Sequence, residues 1–159
     1  MFVGNRKIRN LQVLSFTKIK IIGIENLKGC HSLASITIPK SVDIIDWYTF
    51  GGYETENLMS LRNVIVEKGK LSYIPEGFDN NIKDVVDYPS TISSFGWAQP
   101  SLKAKITILR SKNPPKVGDS SLVGNGLIYV PDDVIDGYRH SDSWSRVADR
   151  IHPLSEYHP

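Results

Sequence analysis

One cysteine, Cys30, in 159 residues excludes an intramolecular disulfide and any multi-cysteine metal site. No apolar run approaches the roughly 20 residues that a spanning helix needs. The opening MFVGNRKIRN has no long apolar centre of the secretory kind. There is no N-x-[ST] sequon. Nor is there an excess of one charge: 19 basic and 17 acidic residues leave a net +2, and the bases are dispersed. That balance gives no electrostatic reason to expect nucleic acid or a membrane surface as partner. These absences fit a cytoplasmic protein and equally a mature or truncated piece of an exported one.

Catalytic fingerprints are also missing. No P-loop, G-x-S-x-G, H-E-x-x-H or G-x-G-x-x-G occurs. His140, Ser141 and Asp142 are adjacent in HSDSW, but a triad is built from spatial neighbours, and a capping turn is the simpler reading. His31, His140, His152 and His158 show no ligand spacing. The expectation is a chain that is not an enzyme, with no cofactor and no metal.

What is present is recurrence. The pattern apolar-x-x-apolar-x-apolar appears in LQVLSF, LASITIP, LRNVIVE, DVVDYP, AKITIL and GLIYVP. Its fourth positions are Leu14, Ile36, Val64, Val86, Ile106 and Ile128, at intervals of 22, 28, 22, 20 and 22. The long interval holds GGYETEN, a loop insertion near 51–57. Pro39, Pro89 and Pro131 follow three of the strands directly and, lacking an N–H, stop each ladder there. In DVVDYP, facing Val86 and Tyr88 inward avoids burying the Asp87 carboxylate. A period near 22 lies in the leucine-rich range and is too short for paired helices. Stacked units would bury one continuous core, with the strands forming a parallel sheet on one side. The alternative, strands of a sandwich joined by hairpins, gives no reason for a constant period.

LKGCHSLASITIPKSVDIIDWYTF resembles the leucine-rich repeats of bacterial surface proteins of the BspA type. The match runs through Leu27, Cys30, Leu33, Ile36, Ile38, Pro39, Ser41, Val42, Ile45 and Phe50, and weakens beyond residue 82. The segment from Ile106 to Leu154 resembles the end of such arrays: a strand, a double-proline loop, a strand ending in Val-Pro, then a helical tail with a tryptophan. The resemblance implies a leucine-rich-repeat solenoid, with a parallel β-sheet on one face, short turns, 3-10 or helical segments on the other, and a C-terminal helical cap. It also implies an interaction role and a cell-surface or secreted location.

On this reading residues 1–131 hold about six coils and residues 132–159 the cap and tail. Asp132 or Asp133 N-caps a short helix after Pro131. Trp144, Val147, Ala148 and Ile151 follow helical spacing and cover the last coil, and Pro153 stops that helix. Cys30 faces the core. The N-terminus shows no equivalent cap, so either Met1 lies inside a longer array or the exposed coil packs on a partner, including a second copy.

The expected function is a non-catalytic binding module recognising a protein or glycan partner through the sheet face. A spacer without a ligand is the alternative. Strand alternation predicts an outward patch of Ile65, Val85, Asp87, Lys105, Thr107, Leu127 and Tyr129, with Tyr129 as its best anchor. Strand propensity alone would also account for the β-branched residues there. Trp97 is placed at a bulky corner position and Trp144 in the cap core. Trp47, with Tyr48 and Tyr53, forms a second candidate patch, which either binds a partner or sugar or anchors the insertion.

Overall fold

The computed structural model describes residues 10–11, 19–23, 27, 30, 32–50 and 60–159. Leu14, Phe16, Tyr53, the insertion and the uncapped N-terminal end lie outside them.

Among the described residues, short apolar runs bounded by turns give eleven strands. Five lie in one sheet, β1 (Asn10–Leu11), β3 (Ser35–Ile38), β5 (Asn63–Val66), β7 (Val85–Tyr88) and β9 (Ile106–Leu109), the first of them ahead of the expected position, since Leu11 and not Leu14 partners Ile36. Four two-residue strands alternate with them: β2 (Ile21–Ile22), β4 (Ile44–Ile45), β6 (Tyr73–Ile74) and β8 (Ser94–Phe95). The last two are β10 (Leu127–Val130) and β11 (Ile151–Pro153). Every pairing is parallel. The seven-stranded sheet runs β1-β3-β5-β7-β9-β10-β11, while β2-β4 and β6-β8 form two separate two-stranded sheets.

The core lies between the long sheet and the two small ones. Ile36, Val64, Val86, Thr107, Ile128 and Ile151 are register partners along the long sheet, and all are buried. Ile22, Ile45, Ile74 and Phe95 face them from the small sheets. Phe50, Phe78, Tyr88 and Phe95 fill one end, with successive ring centroids 5.0, 6.0 and 5.0 Å apart. Cys30 is buried in the same core.

This arrangement corrects the expected fold class. The sequence predicts a leucine-rich-repeat solenoid of one parallel sheet backed by turns or helical segments. Among the described residues the strands are instead spread over three parallel sheets, and no two strands consecutive in the order β1 to β9 are sheet neighbours. The segments opposite the long sheet contain extended pairs, because Ile21-Ile22 and Ile44-Ile45 place β-branched residues in a row there. Among the described residues, helical structure is confined to the stretch after Pro131. Nor is the interval constant. The register pairs Leu11–Ile36, Ile36–Val64, Val64–Val86, Val86–Thr107, Thr107–Ile128 and Ile128–Ile151 are 25, 28, 22, 21, 21 and 23 residues apart by subtraction.

The C-terminal segment also differs from expectation. A 3-10 turn, Asp132–Val134, leads into α1 (Ile135–Arg139), and neither aspartate caps it. Asp132 Oδ1 instead accepts the Ser155 N–H at 3.0 Å, and Asp133 pairs with Lys112 at 2.6 Å. The predicted helix around Trp144 is a run of 3-10 turns, Trp144–Arg150, broken at Val147. Ile151 does not continue it: the residue enters β11, and a strand closes the sheet edge. Trp144 is fully buried, its Nε1–H donating to the Pro115 carbonyl at 2.8 Å. The HSDS segment is a capping turn, in which the Ser141 hydroxyl donates to the Tyr138 carbonyl and accepts from the Trp144 N–H.

Candidate binding site

The predicted outward patch on the long sheet is broken up by a one-residue difference in register. The sequence reading turns Ile106 and Ile108 inward and Thr107 outward. In the structure Thr107 sits between Val86 and Ile128, at 0% exposure, with Leu109 as the second inward residue. The outward residues of β9 are therefore Ile106 and Ile108. A strand's side-chain period of two means that a slip of one reverses every side chain. Lys105 precedes the strand and forms an ion pair with Asp84 at 2.9 Å. Asp87 is clamped by both Nε and Nη2 of Arg110, each at 2.8 Å. Tyr129 packs against His152 and Tyr157, with centroids 5.7 and 5.3 Å away.

Ile108, the register partner of both Asp87 and Tyr129, is 1% exposed yet is not a member of the core cluster. It is enclosed on the outer surface, between the Arg110 clamp and the aromatic group. Of the predicted residues, Ile65 and Leu127 remain largely exposed, and Val85 is half-buried. They are not contiguous with an open Tyr129. Recognition through this sheet face is therefore withdrawn, together with the spacer reading that was framed on the same solenoid.

The small sheets present the contrary picture. The outward members of β2, β4 and β6 are Ile21, Ile44 and Tyr73, each about half-exposed. Ile21 and Ile44 are register partners. After each small strand the chain turns a corner, and these corners stack. The Tyr48 N–H donates to the Glu76 carbonyl at 3.0 Å, Gly96 to Ile74 at 2.8 Å, and Ala98 to Asp119 at 2.8 Å. Trp47 and Trp97 project from two of these corners at 53% and 49% exposure. Trp97 thus occupies a corner, as the sequence predicts, with its indole projecting away from the core. Phe95, two residues earlier, is the buried aromatic instead.

The corners are rigid for identifiable reasons. The Tyr48 hydroxyl donates to Glu76 Oε1 at 2.6 Å, and its ring lies across Gly77. A Cβ on Gly77 would come 2.3 Å from the Tyr48 ring, and Gly77 has φ +77°. Only glycine meets both demands without strain. Tyr48 is thus an anchor, while Trp47 beside it, centroid 6.3 Å away, is the projecting member of the predicted pair. The third member of that patch, Tyr53, lies outside the described residues.

Behind the Trp97 corner lies a buried polar group. Both carboxylate oxygens of Asp79 accept the Ser101 N–H, at 3.0 and 3.2 Å, and Oδ2 also accepts the Tyr88 hydroxyl at 3.0 Å. The Gln99 side-chain carbonyl takes the Asp79 N–H, and the Ser121 hydroxyl donates to the Gln99 main-chain carbonyl. Burial pushes the Asp79 carboxyl above its ordinary value, against the lowering effect of its hydrogen bonds. Burial, followed by the neighbouring Asp79 charge, drives the Tyr88 phenol well above its own. The network fixes residues 98–102 from inside and has no opening to a substrate. Among the described residues, no group of three or more His, Cys, Asp or Glu could hold a metal ion, and no helix is long and apolar enough to cross a membrane.

Comparison with protein-family models and with curated proteins returned no match. Membership of the BspA-type family, expected from the residues around Cys30 and Pro39, therefore has no support from relatives, and the three-sheet topology speaks against it.

Proposed function

We propose that the protein acts by binding another polypeptide along the outer surface of the small sheets, without chemistry of its own. The observation that supports this reading is the strip Ile21, Ile44, Trp47, Tyr73 and Trp97. These are five large apolar side chains, each about half-exposed, on strands and corners that stack on one another. Soluble domains rarely leave such side chains contiguous, and surfaces that do are commonly interaction sites. Tryptophan and tyrosine dominate the energetics of protein interfaces, because they bury large areas at low entropic cost. Aliphatic Ile21 and Ile44 beside the aromatics suit a polypeptide better than a sugar, which would be stacked on aromatic rings alone.

The test is selection of displayed random peptides on the intact chain, with affinities then measured for wild type and for the Trp47→Ser/Trp97→Ser double variant. Peptides that bind the folded wild type at least tenfold more tightly than the folded double variant are the expected result. Enriched peptides that bind both alike would overturn the assignment of the strip.

A further inference from the structure

The charges around the strip narrow the partner. The molecule as a whole is +2, yet the corners that follow the small strands carry acid and no base, the nearest base being Lys116, the register partner of Ser94. The turns that lead from the long sheet into β4 and β6, residues 39–43 and 67–72, carry Lys40, Lys68 and Lys70 against Asp43 and Glu67, and the turn into β8, residues 89–93, carries no charge. The corners at the other end, residues 46–48, 75–77, 96–98 and 118–120, carry Asp46, Glu76 and Asp119 and no basic residue. Those same corners bear Trp47 and Trp97. Asp46 immediately precedes Trp47, and the Asp119 main chain is hydrogen-bonded to the residue after Trp97. Glu76, between them, already accepts the Tyr48 hydroxyl, so the argument rests on Asp46 and Asp119.

From this we infer that the strip takes a cationic segment, a polypeptide bearing lysine or arginine at regular spacing. The inference rests on the preceding reading of the strip as the binding surface. A guanidinium or ammonium is attracted to the face of a tryptophan ring, and more strongly where carboxylates stand close by. Trp47 and Trp97 stand two corners apart, with the 75–77 corner between them. At about 4.8 Å per step of a parallel ladder the two positions are about 10 Å apart. A polyproline II segment repeats every three residues and advances about 9 Å in doing so. Cations at positions i and i+3 of such a segment match the two rings, and its backbone makes no demand on a strand edge.

The experiment uses the full chain and the probe acetyl-Arg-Pro-Pro-Arg-Pro-Pro-Arg-amide, alongside the same peptide with citrulline at each arginine. Binding is followed by calorimetry at low and high salt. It is also followed by tryptophan emission, in which exposed Trp47 and Trp97 respond and buried Trp144 does not. The expected result is saturable binding of the arginine peptide, at least tenfold weaker for the citrulline peptide. It should weaken at least fivefold in Asp46→Asn/Asp119→Asn and fall as salt is raised. Equal binding of the two peptides, still abolished by Trp47→Ser/Trp97→Ser, would overturn the cationic partner and leave the strip as the binding surface. Binding of the arginine peptide that is unchanged in the tryptophan double variant would overturn both. So would strip-dependent binding of oligosaccharides without peptides. Concentration-dependent self-association lost in the tryptophan double variant, with no peptide binding, would replace the cationic segment by a second copy of the chain.

Discussion

The two outer surfaces of this molecule are built from the same kind of material, but on the long sheet the exposed Ile65 and Leu127 stand beside covered neighbours, whereas the described apolar residues of the small sheets follow one another. On the long sheet, Asp87 is held by a two-point Arg110 clamp, Ile108 is enclosed, and Tyr129 lies against His152 and Tyr157 from the chain's last nine residues. On the small sheets, Ile21, Ile44, Trp47, Tyr73 and Trp97 stand about half in solvent with nothing across them among the described residues. An apolar surface in a strand thus does not by itself locate a site. What separates the two is whether the chain returns to cover it, and a sequence pattern read strand by strand does not contain that information.

Both surfaces rest on one core, and the largest expected effect treats them together. Ile36 is 2% exposed and sits directly across from Val64, as alternation predicts. Ile36→Ala should cost about 2–5 kcal/mol. Loss of near-UV signal from both faces in a single urea transition is the expected outcome. If the small sheets melted separately from the long one, the shared core would be refuted.

The second expectation concerns what holds the open surface in place. Asp79 titrates near 3.8 in the unfolded chain, and burial raises that value in the folded protein. Between the two values the folded state holds more protons than the unfolded one, so stability falls as pH rises through the folded value. Asp84 has the opposite sign: hydrogen bonds from Lys105 and Arg62 lower its value, and its contribution is lost on acidification. Wild type shows the sum of such terms, but its difference from Asp79→Asn isolates the buried group. Urea midpoints measured across the acid range should show wild type losing ground to the variant as pH increases. Parallel curves would mean that Asp79 is solvated and does not pin the 98–102 segment behind Trp97.

A third change tests the inside-outside assignment at β9. The Thr107 hydroxyl is buried with no hydrogen-bond partner, a condition that costs about 1–3 kcal/mol. Thr107→Val keeps the shape and removes that hydroxyl, so the variant should be more stable by about 1 kcal/mol or more. An outward Thr107 would instead give a change within about 0.5 kcal/mol, as surface positions do.

The same position shows how far the sequence could be read. Ile36/Ile38, Val64/Val66 and Val86/Tyr88 are inward as alternation predicts, and Pro39, Pro89 and Pro131 each follow the last residue of a strand. β9 defeats the rule because all its residues but one are isoleucine or leucine, and the single polar residue is the one turned in. A signal was present: taking Thr107 as inward makes the flanking intervals 21 and 21, and gives Ala104, buried at 1%, the leading apolar position. The sheets opposite were not legible, since two-residue strands are too short to show a period. The resemblance to leucine-rich repeats supplied turns or helices there, and the isoleucine pairs made strands instead. Trp47 is exposed, as expected, and Trp97, some fifty positions away and expected at a bulky corner position, is exposed to the same degree.

The smallest expected effect is a near-absence, and it bears most directly on the difference between covered and open surface. Trp97 is as large as Trp144, but it projects from a corner, whereas Trp144 lies at 0% exposure with its Nε1–H bonded to Pro115 and its ring edge-on to Tyr138 at 5.7 Å. Removing Trp144 empties a buried volume and orphans a carbonyl, so Trp144→Ala should cost about 3–5 kcal/mol. Trp97→Ser touches no bond of that kind. Its corner is held by the Ala98 N–H on Asp119 and by the Asp79 network behind it, neither of which involves the indole. Its effect on the urea midpoint should stay within about 0.5 kcal/mol. Any larger loss would mean that the indole is fastened to the fold and is not held out for a partner. The open strip would then be a second covered surface, and the reading of Trp47 and Trp97 as a binding pair would fall with it.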